Sequence, residues 1–338
     1  MKDMKKSHTR DGSREAGFDR RGFLIGSAGC GAGLALSRSM AWANEPADGP
    51  LPTRVLGRTG ERVTILGLGT APVGEGPPDV QEAVKIFGAA LDAGVRYVDT
   101  ARGYGNAEEA LGHLLPKRRD NLFVVTKCWT DSAADAEKSL SESLRRLKID
   151  HVDLVHIHHI GGKDVDKVLA KDGILNYLLK QKEVGKLRFI GISGHARASR
   201  FLRLIETDQI DVVMTILNYA DRNIYEFESK VLPAARKRDL GVVAMKAYVG
   251  IKGGFRNHRR GHVGCVTEPQ LLNQALAYAL DLEGVSAAVV GPYTVEQAIQ
   301  NAEFARQYKP LTDQQRESLL ALGREIAPGL GARYGPVA

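Results

Sequence analysis

The sequence predicts a single (β/α)8 barrel, and two observations carry the prediction. From residue 63 onward, eight short β-rich runs alternate with longer amphipathic stretches, and parallel strands need crossovers of about that length. The competing fold, a doubly wound open sheet, would place G-x-G-x-x-G behind a strand, and none of the runs is followed by it. At 338 residues the chain has room for one large domain, and neither a second domain nor an internal repeat is visible.

The first 43 residues stand apart from this pattern. A polar, basic start leads to Arg20 and Arg21, then to a Gly/Ala/Leu-rich stretch, then to Ala41 and Ala43 in an A-x-A arrangement. These are the three regions of an export signal in order. RRGF resembles a twin-arginine signal, the kind that serves already folded proteins. The expectation is a signal over 1–43 that engages the twin-arginine machinery, a linker over 44–52, and a periplasmic barrel over 53–338. The alternatives are a lipid anchor at Cys30, within SAGC, or a cytoplasmic protein whose signal is not used.

Cleavage after Ala43 removes eight Lys/Arg and four Asp/Glu, so the net charge falls from +7 to +3. The basic balance is thus partly a property of the signal, and without a recognised motif it makes no case for nucleic acid. Nothing in the body approaches the roughly 20 apolar residues of a membrane span, so no stable span is expected after cleavage. Cys128 and Cys265 remain, too few for a disulfide framework, and whether they pair is open.

The barrel elements follow in order. TRVLGRTGERVTILGLG, 53–69, reads as a β-hairpin closing the barrel bottom and running into the first barrel strand. The eight runs are VTILGLGT, VRYVDTA, NLFVVTK, HVDLVHIH, RFIGISG, DVVMTIL, GVVAMKAY and VSAAVVG. Between them VQEAVKIFGAALDAG, AADAEKSLSESLRRL and TEPQLLNQALAYALDL carry helical periodicity.

Barrel active sites sit at the carboxyl ends of the strands and in the loops that follow. Asp99 ends the second run and Tyr104 lies in the glycine-punctuated turn just beyond; Lys127 ends FVVTK; His158 ends DLVHIH. Four polar groups from three successive strands can therefore converge on one mouth. His156 and His158 share a strand face, but zinc would want a third ligand and an open position, and no spacing supplies them. No metal is expected, and His156 is read as a buried, hydrogen-bonded residue below the site. Cys128 alternates to the outside of its strand and has no assigned chemistry.

At these residues the chain resembles the aldo-keto reductase family. The resemblance runs from Thr53 to about Leu322, on LGRTGERVTILGLGT, DTARGYGNAEEALG, the TK of FVVTK, DLVHIH, FIGISG and GPYTVEQAIQN. It implies that Asp99, Tyr104, Lys127 and His158 form the catalytic tetrad of an enzyme that reduces an aldehyde or ketone with NADP(H) or NAD(H), or runs the reverse alcohol oxidation. Hydride transfer to a carbonyl leaves an alkoxide that needs a proton. A phenol, with a pKa of about 10, is a weak acid at pH 7; Lys127 is expected to lower that value, with Asp99 holding the lysine charged and aimed. The resemblance implies that His158 orients the substrate carbonyl.

It also implies cofactor contacts at Ser193, at Lys246 to Tyr248, and along Gly291 to Asn301, where Thr294, Gln297 and Asn301 fit the pattern and a helix N-terminus suits an anion. Gly194, Met214 and Leu217 depart from the residues many members carry. The basic loop KGGFRNHRRGH, 252–262, is either a solvated loop or a pyrophosphate clamp. The alternative to an enzyme is a nucleotide-binding, redox-sensing or accessory barrel with little turnover.

Overall fold

The computed structural model describes residues 49–253, 257, 261 and 264–337. The signal region with Arg20, Arg21 and Cys30, and Arg256, Arg259 and Arg260 of the basic loop, lie outside the described residues.

A hairpin of β1 (Thr53–Val55) and β2 (Arg62–Thr64) pairs antiparallel. Eight parallel strands then close a barrel: β3 (Leu66–Gly69), β4 (Tyr97–Asp99), β5 (Phe123–Cys128), β6 (Val152–Ile157), β7 (Leu187–Gly194), β8 (Val212–Ile216), β9 (Gly241–Met245) and β10 (Val285–Val290). Neighbours follow chain order, and β10 returns to pair with β3. Six strands lie within their predicted runs, while β5 runs one residue past its own, to Cys128, and β7 starts one residue before its own, at Leu187.

The helical stretches form as the periodicity requires. Ala133–Leu147 is helical throughout, opened by Ser132, whose side chain accepts from the Asp135 amide, and ended by Lys148 in the left-handed region at φ 55°. Val80–Asp92 opens the same way on Asp79. In TEPQLLNQALAYALDL the α-helix begins only at Leu272, because Pro269–Leu271 forms a 3-10 turn first; proline lacks the N–H but pre-sets φ for such an entry. Among the described residues no helix is long and apolar enough to cross a membrane.

Alternate strand residues fill the barrel: Tyr97, Phe123, Val125, Leu154, Val243 and Val289 pack together, with Leu56 and Val63 of the hairpin pushed in from below. Leu56 and Val63 are fully buried, and burying such a side chain stabilises by about 2 kcal/mol. The hairpin is tied down by Arg54, which donates to Leu280 O at 2.6 Å and Val285 O at 2.8 Å. Beside it, Asp153 accepts from the Val124 amide at 2.7 Å and pairs with Arg119 and Arg188, each at 2.9 Å. The N-terminal end of the barrel is thus closed by packing and ion pairs, which leaves the carboxyl end for chemistry.

Candidate active site

Asp99 reaches the barrel mouth because β4 ends there, in register with Gly69 of β3 and Val125 of β5. The chain then turns sharply: the Tyr104 amide donates to Ala101 O and the Ala107 amide to Tyr104 O, both at 2.9 Å. Gly105 makes the turn possible twice over, since its φ is +51° and a Cβ there would overlap Gly74 O. Local backbone geometry therefore dictates where the phenol of Tyr104 is presented.

Lys127 and His158 complete the group. Lys127 is buried on β5, its ammonium donating to Asp99 Oδ2 at 2.6 Å and to Thr100 O at 2.8 Å, 4.7 Å from the Tyr104 ring centre. The His158 ring meets the Tyr104 ring edge-on at 5.8 Å and the Trp129 ring at 4.8 Å. All four sequence-predicted residues come together.

Their electrostatics differ from the sequence expectation in one respect. Burial raises the Tyr104 phenol above its ordinary pKa; Lys127 opposes that and does not overcome it. The expected lowering by Lys127 is thus corrected: its pull is present, but loss of solvent is the larger effect. Burial also raises the Asp99 carboxyl against the pull of Lys127. For Lys127 burial works downward, yet Asp99 and Tyr104 together hold its pKa raised, so the ammonium stays charged. His158 is held well below its ordinary pKa by burial and then by Lys127, and is neutral at physiological pH.

Below this layer His156 fills the space that Gly191 leaves, for a Cβ on Gly191 would overlap His156 Nδ1. The polar neighbour of His156 is the Ile192 backbone, which acts on the ring as a hydrogen-bond partner though not in ideal geometry, and close packing fixes its place. No group of three or more metal-ligating side chains occurs among the described residues. Cys128 and Cys265 are free. Cys128 points outward into the helix layer, its thiol pushed up to about 12 by burial, which makes it unreactive.

The mouth opens into a cavity of about 710 Å³, lined on one side by Asp99, Tyr104 and His158 and on the other by Lys246, Tyr248 and Gly291. Gly291 leaves no room for a Cβ beside Pro72 and Gly69 O. Lys246 follows β9 with φ +61°, and its carbonyl accepts from Asn218 Nδ2 at 3.0 Å and the Val249 amide at 2.8 Å. Burial lowers its pKa to about 8, Glu75 opposing and Lys127 adding to the effect. Tyr248 donates to Asn301 Oδ1 at 2.8 Å, which ties Asn301 to the cavity wall.

Thr294 and Gln297 cap the helix Val295–Arg306: Thr294 Oγ1 accepts from the Gln297 amide at 3.2 Å, and Gln297 Oε1 from the Tyr293 amide at 2.8 Å. Ser193, on β7, is 2 % exposed, and its Oγ has no hydrogen-bond partner. Of the departing residues, Met214 lies on the cavity floor, Leu217 is in the core, and Gly194 faces the Phe201 ring.

Several lining residues were given no role from the sequence: Trp129, His159, His195, Arg333 and Tyr334. Arg333 donates to both carboxylate oxygens of Asp221 at 2.8 Å, across 112 positions of chain. No local pattern announces such a pair.

The chain is similar to known proteins in sequence and in fold. The chain is 28 % identical over 288 residues to L-galactose dehydrogenase of Arabidopsis thaliana, covering 76 % of this chain and 89 % of that one. It is 30 % identical over 290 residues to the uncharacterized oxidoreductase YrpG of Bacillus subtilis, covering 72 % and 87 %. Two solved structures share the fold: the holo form of an aldo-keto reductase from Bacillus halodurans (TM-score 0.66, 23 % identity, 80 % of this chain and 96 % of that one) and an aldo/keto reductase from Klebsiella pneumoniae in complex with NADP and acetate (0.65, 24 %, 84 % and 99 %). The model of the aldo/keto reductase family matches residues 65–263, which hold Asp99, Tyr104, Lys127 and His158. With a closed eight-stranded barrel, four polar groups gathered at its carboxyl end and that match over more than half its length, the chain belongs to the aldo/keto reductase family.

Proposed function

We propose that this chain is an NAD(P)-dependent oxidoreductase that interconverts a small carbonyl compound and its alcohol, with Tyr104 as the proton donor in reduction and acceptor in oxidation. The observation that carries the reading is the placement of the buried Lys127 ammonium between Asp99 Oδ2, at 2.6 Å, and the Tyr104 ring, 4.7 Å from its centre. A phenol that keeps its proton until the alkoxide forms, beside a fixed positive charge that favours the phenolate once it is left, suits general acid catalysis. His158, neutral, donates an N–H to the carbonyl oxygen without competing for the proton.

The residues present fit a nicotinamide dinucleotide. The buried, unpartnered Ser193 Oγ suits a carboxamide, and the close-packed Gly291 lets a diphosphate approach backbone next to a capped helix N-terminus. When bound, the dihydronicotinamide would supply the hydride. On this reading Lys246 pairs with a phosphate, Tyr248 and Asn301 form the wall behind it, and Thr294 and Gln297 hold the helix end in place.

A phosphate partner for Lys246 has a pH signature. Its pKa is about 8, and an anion favours the charged form, so binding takes up a proton near and above that pH. Dinucleotide affinity, followed by protein fluorescence, is expected to be about tenfold weaker at pH 9 than at pH 7, and flat over that range in Lys246→Met. Gly291, Pro292, Tyr293 and Gln297 carry no charge where a 2′-phosphate would need one, so preference for NADPH over NADH is expected to be modest and to fall further in the same variant. A preference of a thousandfold that survives the substitution speaks against this assignment.

The chain is further proposed to reach the periplasm as a folded barrel through the twin-arginine machinery, carrying its nucleotide with it. Binding only to the native state also stabilises that state in transit. Arg20→Lys with Arg21→Lys is expected to trap the full-length chain in the cytoplasm, and periplasmic protein is expected to release nucleotide on denaturation, detected by mass spectrometry. Unchanged export of the double variant rejects the route; active, nucleotide-free periplasmic protein rejects the carriage.

A further inference from the structure

On the oxidoreductase reading above, one wall of the cavity is still without a role. Trp129 stacks on His159, ring centres 5.1 Å apart and planes 23° apart; His159 leans on His195 at 6.0 Å and 44°; His195 stacks on Tyr334 at 5.4 Å and 28°. The Arg333 guanidinium lies 4.4 Å from the centre of the Tyr334 ring. All four rings line the cavity. Between them these rings bring an indole N–H, two imidazoles and a phenol to one wall of the cavity, and each carries its polar atoms on its rim.

The chemistry of those rims is neutral and two-sided. Burial, then Lys246 and His159, hold His195 well below its ordinary pKa, and burial, then Lys163 and Arg197, lower that of His159. A neutral imidazole offers one donor and one acceptor, and a phenol does both. Hydroxyl groups on adjacent carbons also donate and accept. The cations at this wall are already engaged: Lys127 with Asp99, Lys163 with Asp131 at 3.4 Å, Arg197 with Gly161 O at 2.9 Å, and Arg333 with Asp221 and with Val249 O at 2.8 Å, while Lys246 is assigned above to the dinucleotide. A carboxylate or phosphate on the substrate would find few uncommitted charges here.

The wall is also fixed in advance. The Arg333–Asp221 pair anchors the C-terminal segment, the Tyr334 amide donates to Tyr225 Oη at 2.9 Å, and the Arg197 amide to Pro336 O at 3.0 Å. Gly250, at φ +85°, leaves no room for a Cβ beside Tyr334 Oη. Tyr334 is thereby held against His195 before any ligand arrives, which lowers the ordering cost of binding.

We propose that this row of ring rims makes the site selective for neutral, polyhydroxylated carbonyl compounds and their cyclic hemiacetals, that is, for sugars, over apolar aldehydes of the same length. His159, His195 and Tyr334 are the specificity-determining residues.

The test uses the full chain and two matched pairs, xylose against pentanal and galactose against hexanal, with kcat/KM measured for each. His159→Phe, His195→Phe and Tyr334→Phe keep the stack and remove the polar rims. In each the sugar-to-aldehyde ratio of kcat/KM is expected to fall about tenfold, the loss of one hydrogen bond to a hydroxyl. A second readout needs no turnover: calorimetric titration with xylitol and with 1-pentanol, nicotinamide absent, is expected to show xylitol binding in the wild type, weakened about tenfold in the variants. Three positions along the row keep the test intact where one variant fails to fold. Ratios unchanged in every folded variant, or wild-type protein that binds xylitol no better than 1-pentanol, overturn the proposal. Rim-dependent xylitol binding by a chain that turns over neither hexanal nor galactose with either nicotinamide overturns the oxidoreductase reading and leaves the selectivity of the wall standing.

Discussion

Tyr104→Phe is expected to cut carbonyl reduction by about two to four orders of magnitude, the usual worth of a positioned general acid. The ring stays, so its edge contact with His158, 5.8 Å between centres, and the Lys127 ammonium over it are retained. Only the proton is lost. Dinucleotide affinity should therefore hold while kcat and kcat/KM fall together, the pattern of an interaction made in the transition state. Because burial raises the phenol pKa, wild-type reduction should run level through neutral pH and decline only on the alkaline side, as the donor loses its proton. Steady-state kinetics at saturating dinucleotide, carried from pH 6 to about pH 11 so as to pass the ordinary phenol value of about 10, check both points. Reduction of hexanal by the variant at the wild-type rate would remove Tyr104 from the mechanism.

Lys127→Met is expected to cost about 3–5 kcal/mol of stability near neutral pH, in addition to activity, because it leaves the Asp99 carboxylate buried without its partner. Asp99 is 2 % exposed, and its Oδ1 has no hydrogen-bond partner, so Lys127 is the main compensation for its charge. The pKa of Asp99 is already raised by burial and rises further when the ammonium goes. A carboxyl whose folded pKa exceeds its unfolded one binds more protons when folded across that window, so stability falls as pH rises through it and returns as pH falls. The variant should thus recover part of its loss on acidification from pH 7 to pH 5, relative to wild type. Lys127→Met combined with Asp99→Leu removes both charges and should be more stable than the single variant. Urea unfolding of the three proteins at both pH values measures this; a single variant as stable as wild type, with no pH dependence of the difference, contradicts it.

The three residues of these predictions were legible in the sequence for different reasons. Asp99 and Lys127 end β-rich runs, and a strand end in a barrel has only one destination, the mouth. Tyr104 was legible through the glycine-punctuated turn after Asp99 and through the family motif; the structure adds that the left-handed φ of Gly105 and its contact with Gly74 suit glycine there. What the sequence did not show was how the charges balance. The direction of Lys127's effect on Tyr104 follows from chemistry alone, but burial outweighs it, and burial belongs to the packed site.

By itself the sequence pointed to the barrel and to four polar groups at its mouth, because hydrophobic periodicity, strand-end position and turn glycines are local properties that the chain carries wherever it lies; their reading as a catalytic tetrad came from the family resemblance. Only the tertiary structure decided the opposite wall. His195 and Tyr334 are far apart in the chain yet their ring centres are 5.4 Å apart, and the Arg333–Asp221 pair that puts them there joins residues 112 positions apart. Contacts of that separation leave no periodic trace, since either residue, taken in its own neighbourhood, looks like an ordinary surface group until the barrel closes and removes it from water.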